Sequence, residues 1–299
     1  MSIKINAFFR HIPKKYELKV NEKNIGAYFD YKNYVNINKV CENLLTQNDD
    51  LLFNALSIFS KHHYKYRDIL YHNLQDLTIE KMCNDKDCAT YIIDMDLLKY
   101  YYEDDVYHEV LHLASGYYDK ENWLFYSGFN YFDFFQNQNF GEGLTEGYVE
   151  LLAQRDTRNN KVIERYDSEN ELWSSSYFYV NALARQLEIL VGKEEMEDMF
   201  FKNGFIRLRE WLLKYKDERS IMNFFKNCDA AVIALDKKNN ILNKKTLSAQ
   251  EFIFDICREY MPEKLELLRY EKLIEEDKEL NTPRADCEQF ELQKSKKIK

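Results

Sequence analysis

The chain has 299 residues, enough to bury a sizeable core as one two-lobed enzyme or as two modest domains. Its 45% apolar and 31% charged content is ordinary for a globular protein, and a formal charge of −9 argues against general nucleic-acid binding, which needs a basic excess. Aromatic residues reach 15% while Gly (8) and Pro (3) are scarce, which favours a helix-rich α+β fold over an all-β sandwich.

In chain order, the N-terminal MSIKINAFFRHIPKKYELKV carries basic residues but no continuous apolar core of the kind that export signals have. No later stretch approaches the roughly 20 apolar residues of a membrane-spanning helix. The six cysteines are spread through the chain as free thiols would be, without the density of a disulfide framework. A cytoplasmic location is the expectation, and export by a route other than Sec is compatible with the same features. Residues 37–61 read as two short helices, with Asn48 or Asp49 capping the second, whose Leu52, Ala55, Leu56 and Phe59 recur at helical spacing. Cys83 and Cys88 are too loosely spaced to read as a structural zinc site with His62, His63 or His72, and are read as free thiols. Residues 90–97, TYIIDMDL, alternate as a half-buried strand.

A helix follows, opened by Asp104 or Asp105 and closed by Gly116, and it contains His108-Glu109-Val110-Leu111-His112. Two aromatic runs within residues 123–135 meet at Ser127-Gly128, the expected hairpin turn. From Thr145 the pattern is helical again, with Leu144, Tyr148, Leu151 and Leu152 on one side. Further helices are expected over residues 176–191 (ending at Gly192), 194–216 and 248–260. A last charged helix is expected from Pro262 to about residue 280, before a disordered polar tail.

The chemistry is concentrated in the HEVLH run. On a helix, His108 and His112 project from one face a turn apart, where two imidazoles can hold one zinc at about 2.0–2.1 Å. Glu109 is placed to take a proton from a water activated by that metal as it attacks a carbonyl, the role such a motif gives its glutamate. A catalytic zinc needs a third protein ligand. No histidine lies downstream of His112, so the search moves to carboxylates, and Glu142, Glu146 and Glu150 follow at intervals of four. Glu142, between two glycines, reads as part of a turn.

HEVLH followed by Leu144-Thr145-Glu146-Gly147-Tyr148 resembles the gluzincins, the zinc peptidases that include thermolysin and the zinc aminopeptidases. It also resembles zinc-protease-like proteins of low-GC Gram-positive bacteria with a Gly-Leu-Asn-Glu-Gly segment. The likeness covers roughly residues 90–200 and is sharp only at the two motifs. It implies a zincin-like, two-lobed α+β metallopeptidase, mostly helical, with a small antiparallel sheet before the HExxH helix. By the same likeness His108, His112 and Glu146 hold one zinc, with Thr145 where Asn is usual. Glu150 hydrogen-bonds a ligating imidazole, and a Tyr or His donates to the oxyanion; Tyr177 and Tyr179 are the candidates for that donor. Glu142 is the competing third ligand.

The expected organisation is an N-terminal lobe over 1–116 with the sheet and the HExxH helix, a helical lobe over 117–283 carrying the third ligand, and a polar tail over 284–299. The expected partner is a peptide or protein substrate, with no nucleic acid and no membrane span. Two other readings fit the sequence: a catalytically silent zinc-fold binding or regulatory protein, and a helical protein with an accidental motif.

Overall fold

The computed structural model describes residues 37–81, 89–100, 103–119, 124–133, 137–157, 164–167, 172–175, 178–233 and 240–270. The architecture is α+β and mostly helical, with small sheets set between the helices. Helices α1 (Ile37–Gln47) and α2 (Asp50–His62) meet at Asn48, which turns the chain at φ 45°. Asp49 is the cap of α2, accepting from the Leu51 and Leu52 N–H groups at 3.0 and 2.9 Å. Its other oxygen takes Lys81 Nζ at 2.9 Å and the Tyr100 hydroxyl, so a local capping residue also ties α2 to the first sheet. Helix α3 (Arg67–Leu74) follows a 3-10 turn at Tyr64–Tyr66.

The first sheet has the order β1-β3-β2, from Thr78–Lys81, Leu97–Tyr100 and Thr90–Ile92. The single strand expected over 90–97 is in fact two strands. A 3-10 turn at Ile93–Met95 and a left-handed Asp96 fold the segment back, so β2 pairs antiparallel with β3. Alternation of apolar and polar residues continues through the turn, which hides the break from a period count. Strand β1, with the single large apolar residue Ile79, gives no such pattern and pairs parallel with β3. The sheet before the HExxH helix is therefore mixed. The antiparallel sheet comes after that helix, as the meander β4 (Gly116–Asp119), β5 (Leu124–Ser127), β6 (Asn130–Asp133) and β7 (Gln138–Phe140).

Between the two sheets lies α4 (Glu103–Ser115), so both candidate caps, Asp104 and Asp105, fall inside its first turn. Val106, Tyr107, Val110, Leu111, Leu113 and Ala114 are all buried, because α4 packs against α2, α3 and α5 (Glu142–Thr157). Helix α5 begins one turn earlier than expected, so Glu142 is in its first turn and not in the preceding loop; the left-handed residue there is Gly141, at φ 85°. Two glycines set how closely α5 is held. A Cβ at Gly143 would lie 2.2 Å from the Cys228 carbonyl oxygen on α9 (Glu218–Ile233). One at Gly147 would lie 2.2 Å from that of Val180 on α6 (Phe178–Val191). These spacings bring backbones within reach that any side chain would hold apart.

Helix α6 ends at Gly192 as the sequence suggests, and the 194–216 stretch divides into α7 (Lys193–Phe200) and α8 (Gly204–Leu212) at the left-handed Asn203. Strands β8 (Glu164–Asp167) and β9 (Leu172–Ser175) form a hairpin. Helix α10 (Asn240–Tyr260) contains the 248–260 segment. Pro262 opens a 3-10 turn, followed by α11 (Leu265–Tyr270), and the expected continuation to residue 280 and the tail lie outside the described residues. One connected core runs from Val40 on α1 to Leu268 on α11. Among the described residues no helix is long and apolar enough to cross a membrane.

Candidate metal centre

Helical period and tertiary packing meet at α4 and α5. His108 and His112 stand one turn apart on α4, their ring centroids separated by 5.0 Å. Helix α5 crosses this face and presents Glu146. The three ligand atoms converge: His108 Nε2 lies 3.2 Å from His112 Nε2 and 3.2 Å from Glu146 Oε2, and His112 Nε2 lies 3.4 Å from Glu146 Oε1. Two imidazole nitrogens and a carboxylate aimed at one point form a group that could hold a metal ion. Among the described residues these are the only His, Cys, Asp or Glu side chains that converge in this way.

Around the group, each imidazole turns its other nitrogen to the protein. His108 Nδ1 lies 3.5 Å from Glu150 Oε2, and the second Glu150 oxygen accepts from Gln154 Nε2 at 2.7 Å. His112 Nδ1 lies 3.5 Å from Ser127 Oγ. Glu109 is buried beside the histidines, with the backbone of Tyr91 on strand β2 near its carboxylate.

The electrostatics follow from burial against pairing. Burial alone would raise the Glu146 carboxyl, but His112 and His108 outweigh it and hold Glu146 well below the usual carboxylate range. Burial would lower the His108 imidazole, yet hydrogen bonds to Glu146 and Glu150, with the Glu109 charge beside them, carry it well above its ordinary value. Glu109 goes the other way from Glu146: burial raises it, against the lowering effect of His108 and His112. Two imidazoles and a carboxylate buried against one another form a charge arrangement that suits a divalent cation.

Other sequence-derived residues are placed less centrally. Glu142, the rival ligand, is exposed, accepts from Asn139 Nδ2 at 2.8 Å and is not in the converging group. Tyr179 is on the first turn of α6 and packs against the core. Tyr177, Cys83 and Cys88 lie outside the described residues.

Three supports were not visible in sequence. Asn73 on α3 donates to the Leu113 and Gly116 carbonyls, 2.8 Å each, and so fixes the end of α4. Asp229 on α9 accepts from the N–H groups of Gly141 and Gly143 at 3.1 and 2.9 Å, capping α5 from another helix. Thr145, beside Glu146, donates from its hydroxyl to the Ser127 carbonyl at 3.1 Å. Nothing local marks such partners, which lie 88 residues from Gly141 in the case of Asp229 and 40 from Leu113 in the case of Asn73. The only available signal was the unusual Glu-Gly-Leu-Thr-Glu-Gly run itself.

A scan against protein-family models and searches of curated proteins and of solved structures return no match for this chain. The chemistry of the site is then the basis for any functional reading.

Proposed function

We propose that the chain is a zinc-dependent peptidase of the zincin-like, two-lobed type, resembling the gluzincins. His108, His112 and Glu146 hold about one zinc per chain, and Glu109 acts as general base. The observation that carries this reading is the spacing of the three ligand atoms at 3.2, 3.2 and 3.4 Å. A tetrahedron with bonds of about 2.0–2.1 Å has edges of about 3.3 Å, so the same three atoms fit a zinc ion without rearrangement.

Zinc bound there supplies a Lewis acid that lowers the pKa of water and polarises a carbonyl oxygen. Glu109, adjoining the ligand His108 but outside the converging group, accepts the proton of the attacking water. It returns that proton to the amine as the carbon–nitrogen bond breaks. Glu150, 3.5 Å from His108 Nδ1, would hold that ring with Nε2 toward Glu146 and His112, where zinc would bind. An extended peptide paired with the edge strand β2 would run alongside α4, against which that strand packs.

The test is metal analysis of purified wild type beside Glu146→Ala and Glu142→Ala, with peptide cleavage assayed for wild type and Glu109→Gln. Near-stoichiometric zinc in wild type and Glu142→Ala, its loss in Glu146→Ala, and cleavage that disappears in Glu109→Gln are expected. Zinc without cleavage of varied peptides would favour a zinc-fold binding protein; no zinc at all would end both readings.

A further inference from the structure

We propose that Ser127 is a positioning residue for the metal-facing imidazole of His112, and that Thr145 couples it to the helix carrying Glu146. The inference rests on the metal-site reading above. It starts from a symmetry in the geometry. Both imidazoles turn Nε2 to the converging group, and both face an acceptor with Nδ1 at 3.5 Å: Glu150 for His108, Ser127 for His112. A ligating imidazole whose second nitrogen donates to a fixed acceptor has its tautomer and ring plane set before the metal arrives. Ser127 gives His112 what Glu150 gives His108, with a neutral hydroxyl in place of a carboxylate.

The position of Ser127 is determined from several sides. It is the last residue of β5, paired with Gly116 on β4 and with Asn130 on β6. The turn beyond it places Gly128 at φ 54°, and the Gly128 N–H reaches the Ser115 carbonyl at 3.3 Å, anchoring the hairpin to the last residue of α4. A Cβ at Gly128 would lie 2.2 Å from Phe200, so a glycine is required at this tight turn. Ser127 and Thr145 are both buried, and the Thr145 hydroxyl donates to the Ser127 carbonyl. The path from Glu146 to His112 therefore runs through one side-chain hydrogen bond to a peptide and one hydroxyl on that same residue. Thr145, which departs from the Asn usual in the resembling family, makes its bond to the residue that faces His112.

Zinc affinity measured by competition with a chromogenic chelator tests this. Ser127→Ala is expected to weaken zinc binding by about 10–100-fold, and Ser127→Thr, which keeps the hydroxyl, to recover most of that loss. Thr145→Val should weaken binding less, and the double variant should bind about as Ser127→Ala does, because the two act in one chain. In the zinc-loaded protein, the ring Nδ1–H proton of His112, followed by NMR, should exchange faster with water in Ser127→Ala while that of His108 does not change. A purely structural effect would not select one ring. Wild-type affinity in Ser127→Ala, or equal exchange at both rings, overturns the inference while leaving the zinc site standing; a wild type that takes up no zinc removes both. Should Ser127→Ala fail to fold, Thr145→Val decides: unchanged affinity and unchanged His112 exchange in that variant overturn the coupling.

Discussion

Two regions of this molecule pair buried histidine with carboxylates, and they differ in what the arrangement can hold. At the α4–α5 crossing, His108, His112 and Glu146 direct their atoms toward one another, leaving two imidazole nitrogens 3.2 Å apart. At the other end of α5, His63 has a carboxylate on each side: Nε2 meets Asp156 Oδ2 at 2.5 Å and Nδ1 meets Glu197 Oε1 at 3.1 Å. Asp156 also accepts from the Tyr107 hydroxyl at 2.6 Å and lies 3.6 Å from His62. Here the donors point outward from one ring, so a proton satisfies them. The residue types are nearly the same; only direction separates a group that could hold a metal ion from a buried ion pair.

The comparison is tested most strongly at Glu109. Glu109→Gln is expected to lower kcat/KM for peptide cleavage by about 10²–10⁴-fold with zinc content unchanged, measured on the same preparation. Cleavage at the wild-type rate would remove Glu109 from the chemistry. Next in size is the ligand exchange: Glu146→Ala should lose most of the zinc by elemental analysis, and the equivalent change at Asp156 should not alter it. Zinc lost equally in both would mean the two clusters are not distinct.

At the His63 cluster the expected effect is on stability. His63→Ala leaves Asp156 and Glu197 without their shared partner and should cost about 3–5 kcal/mol in urea unfolding, with zinc stoichiometry retained in the folded fraction. The pH dependence sharpens this further. Burial alone would lower the His63 imidazole, but Asp156 and Glu197 outweigh it and raise it above its ordinary 6.5. A group raised in the folded state contributes fully below its unfolded value and loses that contribution as pH rises through the folded one. The stability gap between wild type and His63→Ala should therefore be widest near pH 6 and narrow above it. A gap that widens toward alkaline pH would contradict the ion-pair assignment. Smallest of all, Asp229→Ala removes the cap that α9 lends to α5 and should cost about 1 kcal/mol, read as a modest fall in thermal midpoint.

How far the sequence leads can be judged at particular residues. His108 and His112 share a face because residues four apart on any α-helix do, and Asp49 caps because a carboxylate before a helical run finds free N–H groups. The strand break at Asp96 escaped the period count, since a 3-10 turn can carry apolar residues at the spacing a strand would. Glu146 stood ahead of Glu142 only through the gluzincin likeness and the glycines around Glu142: both acids are on one face of α5, and the crossing of α4 brings Glu146 alone to the histidines.

The helices that carry His108, His112 and Glu146, the paired imidazoles and the stripe of acids on α5 are thus properties of local spacing, and the sequence determined them by itself. The tertiary structure decided which acid converges with His108 and His112. It also decided that Ser127 faces His112, that Asp229 and Asn73 hold the two helix ends, and that His63 is enclosed between two carboxylates. Each of these depends on contacts between segments distant in the chain, where backbone period carries no information and packing sets both distance and direction.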